Sequence, residues 1–176
     1  MRTLTVVDAL DLAATYAAAR YGVPADDRTI ELRIGELAAD LEAVWPARSY
    51  AFITAWNPAS NPRSEEENQA ADVALVARLD ALGVIRRPAW AESPDGEWRE
   101  PGWMLANIGD ETINQLGVAF GQAAILAWDT GHPVSVRMLM SDPRPQRGPS
   151  TDARLPLELA ACVHWWVAGQ ETALNA

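Results

Sequence analysis

Residues 50–68 read YAFITAWNPASNPRSEEEN. The first six are almost wholly apolar, the pattern of a central strand covered on both faces. Asn57-Pro58 stops that run, because proline cannot extend a ladder and asparagine favours a turn. A polar loop follows. Ser64 and Glu67 then match a capping box, in which the serine caps the helix start and the glutamate three residues on reaches back. Glu65, Glu66 and Glu67 also suit the positive end of the helix dipole. A helix to about Leu82 is predicted, with Ala71, Leu75, Leu79 and Leu82 on one face and Gly83 as its C′ residue. A strand that delivers polar side chains into a loop before a helix is where open α/β folds place their ligand sites.

Working outward, residues 4–21 carry apolar positions at helical spacing, and Gly22, Val23 and Pro24 end that helix. Residues 29–34 (TIELRI) alternate as a half-buried strand, and residues 37–45 form a short helix before Pro46. On the other side, residues 84–90 and 102–108 flank SPDGEW, whose Asp95-Gly96 predicts a hairpin. Asp110 is read as the cap of a helix reaching Phe120, ended by Gly121. Residues 123–128 and 134–140 read as two strands around a turn. The fold class predicted is α/β, with α+β as its neighbour: one compact domain over residues 1–140, holding a mixed sheet of about six strands with helices on its faces. Residues 141–154 (SDPRPQRGPSTD onward) read as a Pro/Arg-rich linker. Residues 155–176 read as a C-terminal helical extension, apolar enough over 155–170 to dock on the body or to pair two copies of the chain.

The chain has 176 residues and a net charge of −10, and all of its 14 basic residues are arginines. Sequence-independent nucleic-acid binding needs a basic footprint, and anionic membranes would repel such a chain, so neither partner is expected. Without lysine there is no Schiff-base or phosphate-loop lysine. No apolar run is long enough to span a bilayer, and Asp8 and Asp11 interrupt what would be a secretory signal; a cytoplasmic protein is expected. The single cysteine, Cys162, lies in an apolar run and reads as an inert core thiol. His132 and His164 show no metal-ligand spacing, and there is no glycine-rich phosphate loop, so no metal or cofactor is implied. Ser60 or Ser64 could reach a histidine only by tertiary accident, with no nucleophile-elbow motif to support it. Eight tryptophans are many for this length. Trp165 and Trp166 point about 100° apart on a helix, so burying both needs broad cover.

Several segments resemble a bacterial family catalogued as domain of unknown function 3293. They are RYG at residues 20–22, IG at 34–35, AFITAWNPASNPRSEEEN at 51–68, PDGEWREPGW at 94–103 and FGQAAI at 120–125. The similarity runs from about Leu12 to Met138. It implies a compact bacterial domain and names no activity. The family often has serine where this chain has Gly102 and asparagine where it has Ala123, so these two positions supply no polar group here. The resemblance also implies an acid at Glu100.

Six residues are candidates for a recognition site. Asn57 offers a donor and an acceptor and Trp56 a stacking face, against the competing role of fixing the turn before Pro58. Asn68 lies one turn into the long helix with no capping task, placed to point at Asn57. Trp98 and Glu100 follow the hairpin turn, and Glu100 is the leading carboxylate, against a solvated role or a pairing with Arg99. Gln122, between a helix end and a strand, could serve a ligand or buried main chain. Convergence of Asn57, Asn68, Glu100 and Gln122 would make a polar pocket suited to a small polar ligand or a protein partner. The alternatives are an enzyme acting on a nucleotide-like or other polar metabolite with Glu100 as acid or base, and an acidic protein-interaction or inhibitor module. The recognition reading predicts that Asn57→Ala and Glu100→Ala change binding while the melting temperature stays within a few degrees.

Overall fold

The computed structural model describes residues 8–143 and 155–169. They build a mixed α/β fold around one eight-stranded sheet. Helix α1 (Ala9–Ala18) starts on Asp8, whose carboxylate accepts from the Leu10 N–H. Strands β1 (Arg20–Ala25) and β2 (Arg28–Leu32) form a hairpin, followed by α2 (Ala39–Val44) and β3 (Ser49–Ile53). A short 3₁₀ turn (Pro58–Ser60) leads to α3 (Glu65–Ala81), then to the hairpin of β4 (Ile85–Glu92) and β5 (Arg99–Ala106). Helix α4 (Asp110–Ala119), β6 (Ala124–Asp129), β7 (Val136–Met138), one turn of helix α5 (Leu157–Ala160) and β8 (Val163–Trp165) complete the order.

The strands run β2-β1-β4-β5-β3-β6-β7-β8, antiparallel except for the parallel pair β7 and β8. Strand β3 is therefore interior, and its side chains divide between two cores as the pleat requires. Tyr50 and Phe52 join Ala13 and Ala17 of α1 and Leu41 of α2. Ala51, Ile53 and Ala55 join Leu75 and Leu79 of α3 and Ile113 and Leu116 of α4. Helices thus cover both faces. Each fully buried leucine of α3 contributes roughly 1.5–3 kcal/mol to holding that layer in place.

Three expectations change. The residues taken to end the first helix, Gly22 to Pro24, lie inside β1. Proline is tolerated there because β4 pairs only with Arg20 to Gly22, so the missing N–H of Pro24 falls where β4 no longer runs alongside. Gly109, not Asp110, is the N-cap of α4. The helix expected over residues 155–170 shortens to α5, and Val163-His164-Trp165 pairs with Val136-Arg137-Met138 instead. β-branched and aromatic residues beside an open strand edge favour that outcome. The segment therefore docks on its own chain: Val163 is buried in the first core, with Cys162 and Trp165 packed against it. Residues 144–154, most of the expected linker, lie outside the described residues. So do residues 1–7 and 170–176, which hold the ends of the expected first and last helices.

Candidate functional site

The site forms on the α1 face of the sheet, where three strands line up one row of side chains. Tyr21 on β1 pairs with Ala91 on β4, which pairs with Glu100 on β5. Directly opposed residues share a face, so the small Ala91 side chain leaves a gap between a tyrosine and a carboxylate. Phe52 from β3 closes the floor edge-on to Tyr21, with ring centroids 5.4 Å apart. Above the row stand Tyr16 and Ala19 at the end of α1, and the loop from Asn57 to Ser60. The result is a cavity in two joined parts. The inner part, about 40 Å³, reaches Thr54 and Gln122. The outer part, about 210 Å³, opens past Pro62, Pro94 and Trp98. Asn57, Ser60, Tyr16, Ala19, Trp98 and Glu100 line both.

The loop is held by side-chain amides in place of regular ladders. Asn57 adopts a left-handed conformation (φ 42°), as do Ala59 (φ 52°) and Ser60 (φ 60°). Each such residue costs about 1 kcal/mol or more without glycine. Four hydrogen bonds at Asn57 offset that strain. Its N–H donates to Asn68 Oδ1 at 2.9 Å, and its Oδ1 accepts from Asn68 Nδ2 at 2.9 Å and from the Arg63 N–H at 2.9 Å. Its Nδ2 donates to Glu100 Oε1 at 2.5 Å. Ser64 and Glu67 form the expected capping box just beyond. Gln122 Nε2 donates to the Trp56 carbonyl at 3.1 Å, tying the loop to the end of α4. Gly121 makes that approach possible: its φ is +67°, and a Cβ there would lie 3.0 Å from Pro58. Tyr16 and Ser60 share a hydroxyl hydrogen bond of 2.8 Å across the mouth.

Glu100 is 5% exposed. One carboxylate oxygen accepts from Asn57; the other has no hydrogen-bond donor among the described residues. Burial pushes the carboxyl up from its ordinary 4.5 to about 7, against the Asn57 hydrogen bond, which pulls it down. Burial likewise raises the Tyr16 hydroxyl, opposed by Ser60 and reinforced by Glu100. Arg99 is not the partner of Glu100. It binds Glu92 through Nε at 3.1 Å and Nη2 at 2.9 Å, and Arg20 binds the same carboxylate. Among the described residues no group of three or more His, Cys, Asp or Glu could hold a metal ion, and no helix is long and apolar enough to cross a membrane.

The structure thus brings Asn57, Asn68, Glu100 and Gln122 together, and sets Trp98 at the mouth, 38% exposed. Two of the six candidates stand back from the cavity. Asn68 is 2% exposed and turned wholly to Asn57, and half-buried Trp56 does not line either part. Three polar residues lining the inner part, Tyr16, Tyr21 and Thr54, escaped the sequence reading, and Ser60 was weighed there only as a nucleophile. Tyr21 sits within the RYG segment and Thr54 within the long 51–68 segment, which was the signal available. Tyr16 gives none, since a tyrosine on an Ala-rich helix reads as packing.

The family model described as "Protein of unknown function (DUF3293)" matches residues 53–125. Over this stretch the chain is similar to that family, which supports the resemblance. All six candidates lie within the match, and the three longest shared segments, at 51–68, 94–103 and 120–125, meet at the cavity. No curated protein and no solved structure matches the chain.

Proposed function

We propose recognition of a small polar ligand in the cavity between Glu100 and Trp98. One observation carries the reading: Glu100 is nearly all buried, yet one carboxylate oxygen on the cavity wall has no donor among the described residues. Burying an ionisable group this way costs stability unless a partner arrives, and proteins keep such groups chiefly at functional sites. In this reading Glu100 meets the polar group of the ligand and Trp98 covers its body. Asn57 and Gln122 fix the rim, while Asn68 and Trp56 act from behind it. The protein works in the cytoplasm of a bacterium.

A second reading has one specific observation in its favour. A carboxyl near pH 7 in a cleft has the proton affinity of a general acid or base. The ligand would then be a polar metabolite on which Glu100 acts.

Thermal-shift screening of a metabolite library tests the first reading. Compounds that raise the melting temperature of the wild type and do nothing for Trp98→Ala are the expected result. Equal shifts in both proteins, or none in either, would contradict it. Turnover of a stabilising compound by the wild type and not by Glu100→Gln would move the conclusion to the second reading.

A further inference from the structure

The charge around the cavity narrows the ligand class. Among the described residues no arginine or histidine lines either part, and Glu100 is the one carboxylate there, beside the hydroxyls of Tyr16 and Ser60. The arginines flanking the lining strands, Arg20 and Arg99, are both bonded to Glu92. Arg63, next to Pro62 at the rim, is exposed, and only its main chain touches the site. A phosphate or carboxylate entering here would meet a like charge and no cation. The chain as a whole carries a net charge of −10, which favours the approach of positive solutes. Trp98 offers a ring at the mouth, and the inner walls are apolar at Phe52, Leu126 and Val136.

We propose that the cavity takes an organic cation: an amine, amidine or guanidine borne on an apolar body. Its positive group donates to the open oxygen of Glu100, and its body lies under Trp98. The inference deepens the recognition reading and rests on it. Among the described residues, the titratable and polar groups that line the inner part with Glu100 are uncharged at neutral pH: Tyr16 from α1, Tyr21 from β1, Thr54 after β3, Asn57 and Ser60 from the loop, Trp98 before β5 and Gln122 after α4. A bound cation would therefore be the first positive charge the carboxylate meets. Because burial holds Glu100 protonated up to about pH 7, the cation must displace a proton below that pH. Affinity should rise about tenfold per pH unit toward 7 and level off above it.

Benzamidine, benzamide, benzoate and inorganic phosphate, titrated at pH 5.5 and pH 8 while the indole resonance of Trp98 is followed by NMR, test this. Benzamidine should shift that resonance at pH 8, bind at least tenfold more weakly at pH 5.5, and lose at least tenfold in affinity in Glu100→Gln. Benzamide or benzoate binding as well as benzamidine would overturn the cation and leave the recognition site standing. So would benzamidine binding that ignores pH, a readout needing only the wild type. Silence of the Trp98 resonance toward all four probes would overturn the cation and count against the recognition site as well.

Discussion

The side chain of Asn57 bonds Glu100, Asn68 and the Arg63 main chain, while its own backbone is left-handed. That makes it a scaffold as much as a contact, and it revises the expectation that Asn57→Ala leaves stability alone. Removing the amide leaves Asn68 Nδ2 and the Arg63 N–H without their acceptor and loosens a strained loop; a loss on the order of 2–3 kcal/mol is expected in urea denaturation. A loss within experimental error would mean the loop is held by something else. Glu100 behaves oppositely. Its carboxyl is neutral in the fold to higher pH than in the unfolded chain, so between about pH 4.5 and 7 the folded state binds more protons. Stability from this group should therefore fall as pH rises through that window. The loss should be on the order of 2 kcal/mol by pH 8, after allowance for water in the open cleft. Glu100→Gln should flatten the profile; a variant as pH-dependent as the wild type in that window would contradict the assignment. Gly102 sits where main chain and a ring crowd together. A Cβ there would come within 2.8 Å of the Ile53 carbonyl and closer still to the Phe52 ring. With Phe52 filling that space, a serine has no room.

At the scale of elements, legibility followed pattern strength. The apolar run at 50–55, the Ser64 capping box and the Asp95-Gly96 turn each carried a local rule that tertiary structure obeyed, and each gave the right element within a few residues. The failures have separate causes. Strand β8 is short and pairs with β7, a distant segment that no local window contains, whereas β1 forms a hairpin with its neighbour β2 as well as pairing with distant β4. Glycine and proline in β1 masked it as a helix end, and the Leu/Ala-rich residues before Val163 masked β8 as a helix. Pairing of β8 gives a direct check. Val163→Asp should release the strand and expose the Val136 N–H, which donates to the Cys162 carbonyl at 2.8 Å. Hydrogen exchange at Val136 should then quicken by orders of magnitude while β3 amides stay protected. Unchanged protection at Val136 would mean β8 adds nothing to the sheet.

Across the whole molecule, the cavity arises where side chains from six strands, β1 and β3 to β7, meet the end of α1 and one loop. The sequence named the polar groups from the loop and the hairpin because family-like segments pointed to them. It could not name Tyr16 or the gap above Ala91, since an empty space is set by what several elements leave unfilled. The same arrangement makes Glu100 the one group whose ionisation reports whether the space is as enclosed as described. Its carboxyl carbon can be followed by NMR across pH 3–9 in protein labelled at glutamate, with Glu100→Gln supplying the assignment. A midpoint near 7 is the result this account predicts. A midpoint at 4.5 or below would show a solvated or ion-paired carboxylate, and the site proposed around it would not stand.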